Sequence, residues 1–184
     1  VEVILVVAAH PYPARSRAHR MLAQAVRSEP GVDFRSLYDL YPDFDIDAAA
    51  EQRALESAGL VVWMHPFHWY GAPALLKLWF ERVLVNGWAH GEGGRALAGK
   101  DCLWVTTTGG DEQAYSAEGR HERPFAAYVA PIEQTARYCG MRWLDPLVVH
   151  GAHRIPEAEL AAAGERLRER LAQWRSTRAR GQST

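Results

Sequence analysis

Apolar residues along this chain alternate between short unbroken runs and stretches in which they recur every three or four positions. Val3–Ala9 is continuous and rich in β-branched side chains, the pattern of a strand covered on both faces. It ends at His10-Pro11-Tyr12-Pro13, a loop, after which Ser16 is placed to cap a helix carrying Met21, Leu22 and Val26. Pro30-Gly31 stops that helix, and Val32–Leu37 reads as a second strand. Tyr41-Pro42-Asp43 marks a longer connection, with Asp47 as the cap of a helix from about Ala48 to Ser57. Leu60–His65 is a third buried strand, ended by Pro66. From Pro73 to Val85 the apolar positions Leu75, Leu76, Trp79, Phe80 and Val83 take helical spacing. Glycine-rich sequence follows, and then Cys102–Thr107 as strand four, Phe125 to Tyr138 as a helix, and Trp143–Val149 as strand five. The last helix is expected from Pro156 to about Arg175, with proline in its first turn.

Strands alternating with helices predict a parallel sheet covered on both faces. Loops rich in candidate ligand residues follow strands one, three and four. That pattern resembles a flavodoxin-like α/β three-layer sandwich, a five-stranded parallel sheet in the order 2-1-3-4-5 with helices on both faces. In such a sheet a ligand sits at the carboxyl ends of the strands, near the switch point. Residues 1–177 are expected to form one domain, with 178–184 as a polar C-terminal tail.

Bulk properties narrow the function. The 184 residues suit one domain, and a hydrophobic share of 48% suffices for a real core. The net charge of −1 lacks the basic excess that nucleic-acid binding needs. No apolar stretch is long enough to cross a bilayer, and no signal-peptide pattern opens the chain, so a cytoplasmic location is expected. Cys102 and Cys139 lie far apart in no metal-like spacing, which fits a reducing compartment.

The segment from His10 to His19 joins the first strand to the first helix. A helix start offers unpaired N–H groups and the positive end of the dipole, which favour a phosphate. Ser16 adds a hydroxyl, and Arg15 or Arg17 adds charge. The bland alternative is an ordinary N-cap at Ser16. Neither G-x-x-x-x-G-K-[ST] nor G-x-G-x-x-G is present, so a nucleotide triphosphatase or a separate dinucleotide fold is unsupported.

The segment after strand three is more specific. His65-Pro66-Phe67-His68-Trp69-Tyr70-Gly71-Ala72-Pro73, leading into Leu75-Leu76-Lys77-Leu78-Trp79, resembles the P-x-x-W-Y-x-x-P-x-x-L-K-x-W signature of the NAD(P)H:quinone oxidoreductase family. The likeness is strongest to the ancillary oxidoreductase subunits of glutathione-gated potassium efflux systems. It extends through His10-Pro11-Tyr12-Pro13, Leu40-Tyr41-Pro42-Asp43-Phe44, Gly87-Trp88-Ala89 and Thr107-Thr108-Gly109-Gly110. The resemblance implies noncovalently held FMN. Its phosphate would meet His10, Ser16, Arg17, Ala18 and His19, and its ring would meet Phe67, His68, Trp69, Tyr70, Thr107, Thr108, Gly109 and Gly110. An isoalloxazine needs apolar walls, which Phe67 and Trp69 could supply, and backbone N–H groups at its polar edge, where glycines permit close approach.

Tyr115 and His121 follow Gly110 at a spacing that resembles the catalytic pair of the broader family. By that resemblance they lie beside the acceptor and manage the proton that accompanies hydride. The implied mechanism is ping-pong. NADH or NADPH gives hydride to flavin N5 and leaves, and a quinone-like acceptor then takes the same place. His68 and His90 depart from the pattern of the nearest subfamily, where an uncharged residue and Tyr are expected. His150 and His153 invite a metal reading, but no cysteine and few carboxylates accompany them, so no metal site is expected. The resemblance further implies a homodimer, for which the Trp79–Trp88 segment offers apolar surface. It also implies a possible antiporter partner at the membrane, giving the alternative reading of a regulatory flavoprotein subunit. Arg166, Arg168, Arg170, Arg175, Arg178 and Arg180 could meet an acidic partner or form a solvated helix face.

Overall fold

The computed structural model describes residues 2–181. Five parallel strands, β1 (Val3–Ala8), β2 (Val32–Ser36), β3 (Ala58–Pro66), β4 (Asp101–Thr107) and β5 (Arg142–Val149), form one sheet. Their order is β2-β1-β3-β4-β5, the order expected from the sequence. β1, β3 and β4 sit inside the sheet, and their residues are almost wholly buried, which is why they read as unbroken apolar runs. Both edge strands are less buried. The β4–β5 register shifts between Leu103 and Val105, opposite Asp145-Pro146, where proline removes a ladder donor on an edge strand.

Six helices cover the faces: α1 (Arg17–Arg27), α2 (Leu37–Leu40), α3 (Ala48–Ser57), α4 (Ala74–Val83), α5 (Ala130–Tyr138) and α6 (Glu157–Gly181). Two apolar layers result. One packs Leu55, Leu75, Leu76, Trp79 and Ile132 of α3–α5 against alternate strand residues such as Leu5, Trp63 and Trp104. The other packs Leu22, Val26, Leu160, Leu167 and Trp174 of α1 and α6 against Ile4, Val62 and Leu103.

Polar anchors pin the layers. Glu51 of α3 is fully buried, and its Oε1 accepts from Arg35 at 2.6 Å and from the Tyr41 hydroxyl at 2.6 Å. Its Oε2 accepts from the Trp79 indole at 2.9 Å, so β2, α3 and α4 converge on one carboxylate. At the amino end of the sheet Asp101 accepts two bonds from Arg142 and one from Trp174, and Lys100 donates to the carbonyls of Glu56 and Ala58.

Three expectations need adjustment. The Phe125–Tyr138 helix is two pieces: a 3-10 turn at Phe125–Tyr128 precedes α5, because Pro131 in the first turn of α5 cannot extend an earlier helix. α6 runs on to Gly181, into the stretch expected as tail, with the Arg178 guanidinium 3.4 Å from Glu2 and 3.5 Å from Asp101. The remainder of that stretch, 182–184, lies outside the described residues. The Trp79–Trp88 segment offers less apolar surface than expected, Val85 being its one exposed large hydrophobic among the described residues. Trp79 and Val83 are buried in the core, and the Trp88 indole donates to Glu56.

Candidate functional site

Every loop that follows the carboxyl end of β1, β3, β4 or β5 reaches one region. After β1, Ser16 caps α1, and its Oγ accepts from the His19 N–H at 3.1 Å. As acceptor there, the hydroxyl still has its own proton to give. The N–H groups of Arg17 and Ala18 belong to the first turn and have no intrahelical partner. Arg17 does not face this helix start freely, since its guanidinium donates to the Ile155 carbonyl beyond β5. Arg15 lies over the Tyr12 ring.

Histidines join this loop to the next. The His10 ring centroid lies 5.0 Å from His19 and 6.3 Å from His68. Nδ1 of His10 accepts from the Tyr12 N–H, so a neutral ring carries its proton on Nε2. Burial, followed by the charge of neighbouring cations, pushes the pKa of both His10 and His19 down to about 4. His68 is lowered in the same way, by burial and then by His153.

After β3, the chain makes a tight turn. His68 and Gly71 exchange N–H···O bonds at 3.1 and 3.0 Å, while Trp69 and Tyr70 take φ of 48° and 63°. This is the pattern of a type I′ turn, normally filled by Asn and Gly. Bulky residues in the left-handed region cost about 1–3 kcal/mol each. The strain lifts Trp69 out of the fold, 95% exposed, with Tyr70 beside it at 52%. Of the two residues expected to wall a ring, Trp69 thus stands in solvent. Phe67 instead packs edge-on against Trp104, Tyr115, Phe125 and Tyr128.

Beneath the turn, His65 is buried, and its Nε2 accepts from the Trp104 indole at 2.8 Å. Its Nδ1 therefore carries the proton and donates to the Pro66 carbonyl at 2.9 Å. The Phe67 N–H donates to the Thr107 carbonyl at 2.8 Å, tying the loops after β3 and β4 together.

After β4, the Thr108 hydroxyl donates to the Gly110 carbonyl at 2.7 Å and lies 2.9 Å from Nδ1 of His150. Because that hydroxyl has one proton, His150 must donate from Nδ1. Gly151 and Ala152 donate to the carbonyls of Gly110 and Thr108, so the loop after β5 is bonded to the same segment. Gly110 lets the chain pass close to the next turn, since a Cβ there would press on Ala114, Tyr115 and His121 at 3.1–3.4 Å, whereas one on Gly109 would make only ordinary contact with His153. Tyr115 and His121 stack with centroids 4.4 Å apart, and the Tyr70 hydroxyl lies 3.5 Å from Nδ1 of His121. Burial raises the Tyr115 pKa, so its hydroxyl remains a proton donor at neutral pH.

These loops enclose a cleft of about 1020 Å³, lined by Phe67, Trp69, Tyr70, Gly109, Gly110 and the Tyr115–His121 pair among others. The structure therefore gathers Phe67, Trp69, Tyr70, Gly109, Gly110, Tyr115 and His121 in one cavity, whereas His68, Thr107 and Thr108 do not line it. The β1 loop adjoins it through His10, His68 and His153 rather than lining it. Sequence reading missed the share of the loop after β5, His150 to Ile155, although every carboxyl end of a parallel sheet opens on the same side. It also missed Phe125 and Tyr128 as ring neighbours of Phe67.

Among the described residues, no group of three or more His, Cys, Asp or Glu side chains is placed to share a metal ion. No described helix is long and apolar enough to cross a membrane. The arginines of α6 are largely occupied: Arg168 pairs with Glu29 and Glu165, Arg170 and Arg175 donate to the carbonyls of Asp145 and Pro30, and Arg178 meets Glu2 and Asp101.

Comparison with known proteins agrees with this geometry. The family model described as "Flavodoxin-like fold" matches residues 3–171. The glutathione-regulated potassium-efflux system ancillary protein KefF of Enterobacter sp. (strain 638) is 45% identical over 175 residues, covering 95% of this chain and 98% of that one. The general stress protein 14 of Treponema denticola, solved in complex with FMN, superposes with a TM-score of 0.84 at 32% identity, covering 95% and 98% of the two chains. An NADPH-quinone reductase from P. pentosaceus gives a TM-score of 0.82 at 26% identity, covering 91% and 96%.

Proposed function

The chain belongs to the flavodoxin-like fold family, and from that premise we propose that it is an FMN-dependent NAD(P)H:quinone oxidoreductase working by a ping-pong mechanism. One observation carries the reading. The Phe67 N–H to Thr107 C=O bond joins the two loops that frame an open cleft at the carboxyl end of the sheet. Bound FMN would supply the hydride-accepting and hydride-donating chemistry between nicotinamide and acceptor, and this chain's residues would hold and orient it.

The residues present suit that cofactor. The Ser16 hydroxyl and the Arg17 and Ala18 N–H groups form a phosphate cradle at a helix start. His10 and His19, held neutral by burial, add ring N–H donors without a fixed charge. Gly109, Gly110, Trp69 and Tyr70 line the cleft that would take the flat ring, with His68 beside it near His10. Tyr115 and His121 act on the proton that accompanies hydride: the tyrosine hydroxyl donates, and the stacked imidazole relays.

The exposed Trp69 and Tyr70 at the cleft mouth support a homodimer that covers them. A monomer by light scattering with FMN bound would contradict it. Parallel double-reciprocal lines with NADH or NADPH and a benzoquinone are expected; intersecting lines would exclude a shared site. The name of the 45%-identical relative favours a second role, a cytoplasmic flavoprotein subunit docking on a potassium-efflux antiporter at the inner membrane face. FMN binding without any NAD(P)H oxidation would favour that role over the enzyme.

A further inference from the structure

We propose that Arg120 and Arg154 select a phosphorylated nicotinamide dinucleotide, NADPH over NADH, by holding its 2′-phosphate at the rim of the cleft. This rests on the reading of the cleft as a hydride-transfer site. Both arginines line it, Arg120 next to His121 and Arg154 in the loop between β5 and α6. Both side chains are exposed, and among the described residues neither guanidinium makes a hydrogen bond or an ion pair; only the Arg154 backbone is engaged, its N–H donating to the Gly151 carbonyl. Arg17 shows the contrast, since its guanidinium is engaged by the Ile155 carbonyl at the same rim.

The carboxylates in the lining do not neutralise them. Asp111 is occupied as the cap of the turn at Glu112–Tyr115, accepting from the Ala114 N–H at 2.9 Å. Glu159 sits in the first turn of α6, where the helix dipole favours a negative charge. Neither lies within ion-pair distance of Arg120 or Arg154. His153 adds an imidazole to the lining.

Chemistry then chooses the ligand. For a nicotinamide placed beside Tyr115 and His121, the lining residues 119–121 and 153–155 offer a rim along which its adenosine arm would run. The 2′-phosphate adds about two negative charges and three acceptor oxygens to that arm. A guanidinium fork matches them bidentately, which an uncharged ribose hydroxyl does not reward. The volume of about 1020 Å³ leaves room for a donor above a flavin ring.

The test uses FMN-loaded protein and two redox-inert probes, ADP-ribose and 2′-phospho-ADP-ribose, titrated calorimetrically. The wild-type chain is expected to bind the phosphorylated probe about tenfold tighter or more. In the Arg120→Ala/Arg154→Ala variant that margin falls to about twofold or less, and the Arg→Lys pair keeps part of it. With an uncharged quinone, the NADPH/NADH ratio of kcat/KM falls in parallel. Equal affinities in the wild type, or an undiminished margin in the variant, would overturn the assignment. A loss confined to carboxylated quinones would also overturn it, and would assign the arginines to an anionic acceptor. A chain that binds FMN and oxidises NADH but shows no margin loses only this inference. One that takes up no FMN loses the parent reading as well.

Discussion

The indole N–H of Trp104 donates to Nε2 of His65 at 2.8 Å, inside a sheet where both residues are buried. The bond fixes the imidazole as a neutral ring whose other nitrogen holds the carbonyl of Pro66, the last residue of β3. Burial pushes the His65 pKa down to about 4, so acid must disrupt this relay before it protonates it.

Acid sensitivity follows. His10, His19 and His65 have folded values near 4 against 6.5 in the unfolded chain. Between those values the unfolded chain binds more protons, so stability falls as pH drops from about 6.5 towards 4. Each histidine contributes a slope of up to about 1.4 kcal/mol per pH unit. Thermal melts across that range should show the fall, and His65→Gln should flatten it. An equally steep profile in that variant would count against the relay.

The strained turn separates stability from binding. Trp69→Asn with Tyr70→Gly supplies residues that accept positive φ, and should raise stability by about 1 kcal/mol. The same change removes two aromatic surfaces at the cleft mouth and should weaken FMN binding by up to about tenfold. Chemical denaturation and flavin fluorescence titration measure the two effects separately.

Glu51 should be costly to remove. Glu51→Ala leaves Arg35, Tyr41 and the Trp79 indole without their shared acceptor, for a loss of about 3–5 kcal/mol. Urea midpoints give the value, and a loss below about 1 kcal/mol would show that the carboxylate is dispensable.

Gly119, in the lining of the same cleft, holds the Tyr115–His121 pair proposed to handle the proton. A Cβ there would lie 2.1 Å from the Gln113 carbonyl oxygen, so the backbone of residues 113–119 must shift. Gly119→Ala should separate Tyr115 from His121 and reduce kcat more than tenfold. The FMN spectrum of the same variant should persist, because the loops at 67–71 and 107–110 are untouched.

The sheet order was legible because three interior strands are covered on both faces and so appear as unbroken apolar runs. Caps were equally plain: Ser16 and Asp47 both accept from the N–H three residues on. Direction was not legible. Trp79 and Trp69 are both tryptophans in the segment read as ring-binding or dimer-forming, yet one donates to a buried carboxylate and the other stands in water. A buried partner such as Glu51, 28 residues upstream of Trp79, leaves no local pattern. The loop after β5 was read only as a metal question at His150 and His153, because the bonds of His150 to Thr108 and of Gly151 and Ala152 to the loop after β4 are made by residues about 40 positions apart.

Asp101, Arg142, Trp174 and Lys100 fasten the strands at the end opposite the cleft. Redesign of the rim is therefore decoupled from the fastening: loops carrying Trp69, Arg120 or Arg154 can be exchanged for others while the amino-terminal clamp keeps the sheet in register. A scaffold divided in this way can take on a new ligand by loop grafting alone.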